Sequence, residues 1–156
     1  MKKFAILTLV FVFAMALCSC TGAKYTKLGT SDFSIVLPAG YVAADDEFSE
    51  DQVAYFYKDD SSVDFDVYQW AKDGGITLES EAKFYAAEYN STAEAVTVNG
   101  YNGWKYVSVE DYEGATYTVI NYMFEDDTYI VEICFWTTNS DAELTVVKDI
   151  IDTLKK

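Results

Sequence analysis

Val63, Phe65 and Val67 alternate with Asp64 and Asp66, a period of two that predicts a strand with one apolar and one wet face. Similar signals recur along the chain. Residues 32–37 read as a short strand stopped by Pro38, with Ala39-Gly40 as the turn. Residues 43–51 are acidic and read as a loop, 52–58 as a strand, 59–62 as its turn and 63–71 as the next strand. The period then changes. Behind Thr77, a good N-cap, Leu78, Ala82, Tyr85 and Tyr89 recur at helical spacing, with Glu79 and Glu81 near the positive end of the helix. A strand over 94–98 leads into a turn over 99–103. Residues 104–110, 115–124 and 128–137 then read as a three-strand meander joined at 111–114 and 125–127. Ser140 and Glu143 suggest a capping box opening a last helix, whose stripe is Leu144, Val147, Ile151 and Leu154.

The order is three strands, a helix, four strands and a helix. Short links favour antiparallel pairing, and amphipathic helices must cover apolar sheet faces. The expected class is α+β, an antiparallel β-sheet flanked by helices.

Composition narrows the function. A chain of 156 residues allows one ordinary domain, and 51% hydrophobic with 17% aromatic content argues against disorder despite a net charge of -15. There is no Arg and no His, and 11 Lys face 26 Asp plus Glu. A nucleic-acid binder needs a cationic face, so that class is excluded. Ser-His, Cys-His and His-ligated metal chemistry are excluded with it.

The N-terminus carries an address. Lys2 and Lys3 precede an apolar run over 4–17, the length of a signal-peptide core and short of the roughly 20 residues that span a bilayer. The run ends in Leu17-Cys18-Ser19-Cys20, which resembles the lipobox of bacterial lipoproteins, with Cys20 as the lipid acceptor. That resemblance implies a signal peptide over 1–19 and a lipidated Cys20 opening a tether over 20–30. A single domain over 31–156 would then be held to the membrane on the extracytoplasmic face. Two or more acyl chains, such as palmitate, give stable anchoring. Cys134 would be the one cysteine left, so the domain must rest on its apolar core rather than a disulfide.

Candidate chemistry is sparse. Asp59, Asp60, Asp64 and Asp66, or Glu125, Asp126 and Asp127, offer oxygen ligands for a hard cation, but 59–66 lacks the glycine of a calcium loop, and the plain reading is solvated surface. With 26 acids some carboxylate pair meets any separation, so glycosidase-like pairing is not specific. Cys134 sits in an apolar strand without a base and reads as core. Tyr101 and Trp104 flank a Gly-rich turn and Tyr112 falls in the next loop, which makes these three the candidate contact residues for a partner or sugar.

The succession Leu37-Pro38-Ala39-Gly40-Tyr41, a hairpin, a helix opened by Thr77-Leu78-Glu79, Val98-Asn99-Gly100 and Gly103, a long meander and a terminal helix resembles the PsbP-like superfamily over about 31–156. The resemblance implies an α/β/α sandwich and a non-enzymatic binding or assembly-accessory role, without a cofactor. A cation- or glycan-binding module on the cell surface is the alternative.

Overall fold

The alternating segments pair as a seven-stranded antiparallel sheet in the computed structural model, which describes residues 24–45, 48–59 and 63–156. In chain order the described elements are β1 (Tyr25–Lys27), β2 (Ser34–Val36), β3 (Val42–Ala43), β4 (Gln52–Tyr57) and β5 (Asp64–Ala71). Helix α1 (Leu78–Glu88) follows, then β6 (Glu94–Val98), β7 (Tyr101–Tyr112), β8 (Ala115–Glu125), β9 (Tyr129–Thr137) and helix α2 (Asp141–Ile151). The sheet order is β3-β4-β5-β9-β8-β7-β6, and β1-β2 form a separate ribbon. The α+β class and the antiparallel sheet between helices agree with the sequence pattern.

The helices lie on opposite faces. Under α2, Val147, Ile150, Ile151 and Leu154 pack with Phe33, Ile35, Phe65, Phe124, Ile133 and Phe135 in the larger core. Phe65 sits between Phe56 and Phe135 at ring-centroid distances of 4.9 and 5.0 Å. Under α1, Leu78, Ala82 and Ala86 meet Tyr106, Met123 and Ile130. Gly103 is required by close packing: a Cβ there would stand 2.5 Å from the Met123 carbonyl and 2.6 Å from the Phe124 ring.

Several boundaries differ from the sequence reading. The fold, expected to begin at 31, already includes residues 25–28, because β1 pairs with β2 and Leu28 is fully buried. Leu28 adds an apolar anchor that an isolated side chain in a polar stretch did not signal. The turn expected over 99–103 reduces to Asn99-Gly100, with φ of 50° and 85°, and Tyr101 already pairs with Val98. Two left-handed residues reverse an antiparallel pair with the correct twist, so no longer loop is needed. Strand β7 likewise runs past the expected 104–110 to Tyr112.

Helix α1 opens on a reciprocal box: Ser80 N–H donates to Thr77 Oγ1 (3.1 Å) and Thr77 N–H to Ser80 Oγ (3.0 Å). In α2, Glu143 N–H donates to Ser140 Oγ (3.3 Å), while the Glu143 carboxylate accepts from the Thr138 N–H (2.5 Å) and hydroxyl (2.7 Å). The segment expected to be a signal peptide, and Cys20, expected to be the lipid acceptor, lie outside the described residues. Among those that are described, no helix is long and apolar enough to cross a membrane.

Candidate functional site

Eleven residues make α1 about 16 Å long, whereas the 12-residue β7 beneath it runs for roughly 40 Å. The helix therefore covers only part of its face. Beyond its C-terminal end the sheet lines an open cleft. Strand periodicity decides what points there: Asp64, Asp66, Tyr68 and Trp70 from β5, Glu132, Cys134 and Trp136 from β9, and Tyr106, Glu110 and Tyr112 from β7. Two adjoining cavities of about 540 and 290 Å³ share Asp66, Tyr68 and Trp136. Gln52 and Tyr55 close one side of the larger cavity.

Aromatic rings form its walls. Trp136 lies between Tyr112 and Tyr117, edge-on to both, at 6.4 and 5.9 Å. Tyr89 stacks on Tyr106 at 6.3 Å, and Trp70 meets Tyr85 edge-on at 5.8 Å.

Carboxylates form its floor. Asp66, only 8% exposed, accepts from Trp136 Nε1 (2.7 Å) and Gln52 Nε2 (2.6 Å). Burial pushes its pKa up against these two hydrogen bonds. The sequence reading of Asp66 as solvated surface is thus corrected, because the pleat that turns it from the main core turns it under Trp136. Tyr55 donates to Asp64 Oδ2 (2.9 Å), while Asp64 Oδ1 is buried without a hydrogen-bond partner among the described residues. Glu132, 6% exposed, accepts from the Tyr106 hydroxyl (2.6 Å). Burial pushes it up to about 7, opposed by hydrogen bonds from Tyr106 and Cys134 and reinforced by Glu110 and Glu81. Burial also raises the hydroxyls of Tyr55, Tyr68 and Tyr106 and holds the Cys134 thiol protonated. The cleft thus presents hydroxyl and indole donors, ring faces and carboxylates. Among the described residues, no lysine lines either cavity.

The three candidate contact residues do not converge. Tyr101 and Tyr112 stand 11 positions apart on β7, about 36 Å, and that odd spacing sends them to opposite faces. Tyr101 packs edge-on against Phe33 at 5.7 Å, and its hydroxyl accepts from Lys156 N–H (3.1 Å). Trp104 lies by α1 with the Lys83 ammonium 5.5 Å from its ring centroid, beside a separate depression near Thr77. Only Tyr112, 59% exposed, belongs to the cleft. The sequence reading missed Tyr68, Tyr106, Glu132 and Trp136. One signal was legible: Glu132 interrupts an otherwise apolar strand, and a charge at such a place must face something other than core.

Two acids of the turn at 125–127 are committed to internal partners, while Asp127 is exposed. Asp126 accepts backbone N–H bonds from Asp32, Thr128 and Tyr129 at 2.7–2.8 Å, and Glu125 pairs with Lys72 at 2.9 Å. Among the described residues, no group of three or more His, Cys, Asp or Glu is placed to hold a metal ion.

No protein-family model matches the chain, and no curated protein matches it in sequence. Solved structures do match in shape. The cyanobacterial PsbP (CyanoP) of Synechocystis sp. PCC 6803 covers 90% of this chain and 98% of its own, with a TM-score of 0.63 at 12% identity. The fold is PsbP-like. LpqN of Mycobacterium tuberculosis, described as involved in cell envelope biogenesis, superposes with a TM-score of 0.62 over 85% of this chain and 88% of its own, at 10% identity. A protein of Bacteroides thetaiotaomicron gives 0.59 at 18% identity over 79% of this chain, which spans 44% of that protein's length. At these identities the PsbP-like likeness concerns the fold.

Proposed function

We propose that this chain is a lipid-anchored protein of the extracytoplasmic membrane face, and that it serves a non-enzymatic, binding or assembly-accessory role through the cleft. The cleft carries the reading. A PsbP-like sheet face left open beyond a short helix, walled by Trp136, Tyr112 and Tyr117, is concave and aromatic with polar groups set among the rings, as ligand sites are. The lipobox around Cys20 supports the anchor, and the description of LpqN is in keeping with an envelope role. A buried, protonated thiol at Cys134 and raised tyrosine hydroxyls favour binding over nucleophilic catalysis.

Two measurements test it. Cys20→Ala should move the protein from the detergent phase to the aqueous phase, or leave it unprocessed; unchanged partition overturns the anchor. A photo-crosslinking residue at position 112 in intact cells should give a discrete adduct that one at position 101, on the opposite face, does not. Equal adducts from both positions, or none from 112, overturn the cleft as the working surface.

A further inference from the structure

We propose that the outer face of the β1–β2 ribbon, with Lys155 beside it, lies against an anionic phospholipid surface. This rests on the reading of Cys20 as the lipid acceptor and adds which side of the domain meets the membrane.

The ribbon has two unlike faces. Residues directly opposite in antiparallel strands share a face, as do alternate residues along one strand. Ile35, opposite Thr26, packs into the larger core. Tyr25 and Lys27 therefore face outward, with Ser34 opposite Lys27. Across β2, Lys155 pairs with Ser34 through two backbone hydrogen bonds of 2.8 and 2.9 Å and so joins the same face. Its ammonium lies 3.3 Å from the Tyr25 ring centroid, and Tyr25 is still 41% exposed. Lys24 and Lys156 are exposed at the margins.

Charge selects the partner. In a chain where 11 lysines face 26 acids, these four lysines gather in one place. Opposing acids are few or engaged. Residues 24–36 contain one, Asp32, while Asp126 accepts from three backbone N–H groups and Asp152 is paired with Lys148. Exposed lysines around a tyrosine suit a lipid interface, where ammonium groups reach phosphates and the ring lies at headgroup level.

The anchor then answers the objection that an acidic protein is repelled by an anionic bilayer. Cys20 stands four residues before Lys24, and four residues span at most about 14 Å. The ribbon is therefore held near the headgroups. Charges are screened over about 8 Å at physiological salt, so acids elsewhere on the domain count for less there than the lysines at the surface.

The test uses the protein as expressed in cells, inserted into vesicles through its own anchor. A dye is attached through Thr30→Cys, on the ribbon side, or Tyr112→Cys, at the far end of β7, and energy transfer to an acceptor on the lipid headgroups is measured. Replacing a third of the phosphatidylcholine by phosphatidylglycerol should raise transfer from position 30 by at least half, and by more than from position 112. High salt should reverse the gain. Lys27→Gln with Lys155→Gln should abolish it, whereas Lys58→Gln with Lys83→Gln, the same change of charge elsewhere, should keep it. No gain at position 30, an equal gain at position 112, or a gain that survives high salt or the Lys27 and Lys155 substitutions overturns the docking face. The salt series is run on a chain with all its lysines, so it decides even where a lysine variant fails to fold. Flotation with neutral vesicles separates the two readings. A protein that floats but shows no gain loses the docking face alone, and one that does not float loses the lipid anchor and the docking face with it.

Discussion

The Tyr106 hydroxyl donates to Glu132 Oε1 at 2.6 Å in the floor of the cleft, joining the central β9 to β7 across β8. The carboxyl it meets is buried and pushed up to about 7, so near neutrality it is partly protonated. Titratable groups surround it from every packed element: Asp66 and Tyr68 on β5, Glu110 on β7, Cys134 on β9, and Glu81, Tyr85 and Tyr89 from α1 and its end.

A pH dependence follows. A carboxyl whose pKa is higher folded than unfolded binds more protons in the folded state, so its contribution to stability is full below the ordinary carboxylate range and declines as pH rises to about 7. Glu132 should therefore cost up to about 3 kcal/mol between pH 4.5 and 8. Glu132→Gln keeps an acceptor for Tyr106 and should flatten that slope in urea-unfolding series. An unchanged slope would refute the assignment.

Asp126 works in the opposite direction. Burial raises its pKa, but the N–H groups of Asp32, Tyr129 and Thr128 outweigh it and hold the carboxyl below its ordinary range. The stability it provides is present above the ordinary carboxylate pKa and is lost as pH falls through the folded value. Asp126→Ala strands three backbone donors and should destabilise by about 2–4 kcal/mol. Chemical denaturation at pH 7 measures it, and a loss below 1 kcal/mol would contradict the role.

Gly103→Ala should destabilise by about 1–3 kcal/mol, because the new methyl would meet the Met123 carbonyl and the Phe124 ring closer than atoms approach. Gly74→Ala, with open space around its Cβ position, is the control. Equal melting temperatures for the two variants would show that the β7–β8 packing is looser than described.

Cys134, 7% exposed and with its thiol pKa well raised by burial and by Glu132, should react with a thiol reagent only as the protein unfolds. Labelling should follow the urea transition. Rapid labelling of the native protein would place the thiol at an accessible cleft surface instead.

Much of the fold was legible because it is written in local periodicity. The alternation around Val63, Phe65 and Val67 fixes one strand and its core face, and Leu144, Val147 and Ile151 mark the inner stripe of α2. Asn99-Gly100 marks its turn through residues that tolerate positive φ. The candidate site was less legible. Tyr101, Trp104 and Tyr112 are close in sequence, but a pleated strand separates them by distance and by face. Leu28 carried no periodic signal, and its burial depends on the β1–β2 ribbon closing beside the core.

By itself the sequence determined the class of the fold, the inner face of α2 and the acidic balance, since each depends on residue type and near-neighbour spacing. For α1 it placed Leu78 and Ala82 inside but expected Tyr89 there, where Ala86 is buried and Tyr89 is exposed. Only the tertiary structure decided which polar face became a cleft. Asp66 and Trp136 are 70 positions apart, and β5 meets β9 only after α1 and three strands have crossed between them. The length of α1 relative to β7 then leaves that face uncovered. Whether a strand's polar side meets water or an indole depends on which strand lies beside it and how far the helix above extends.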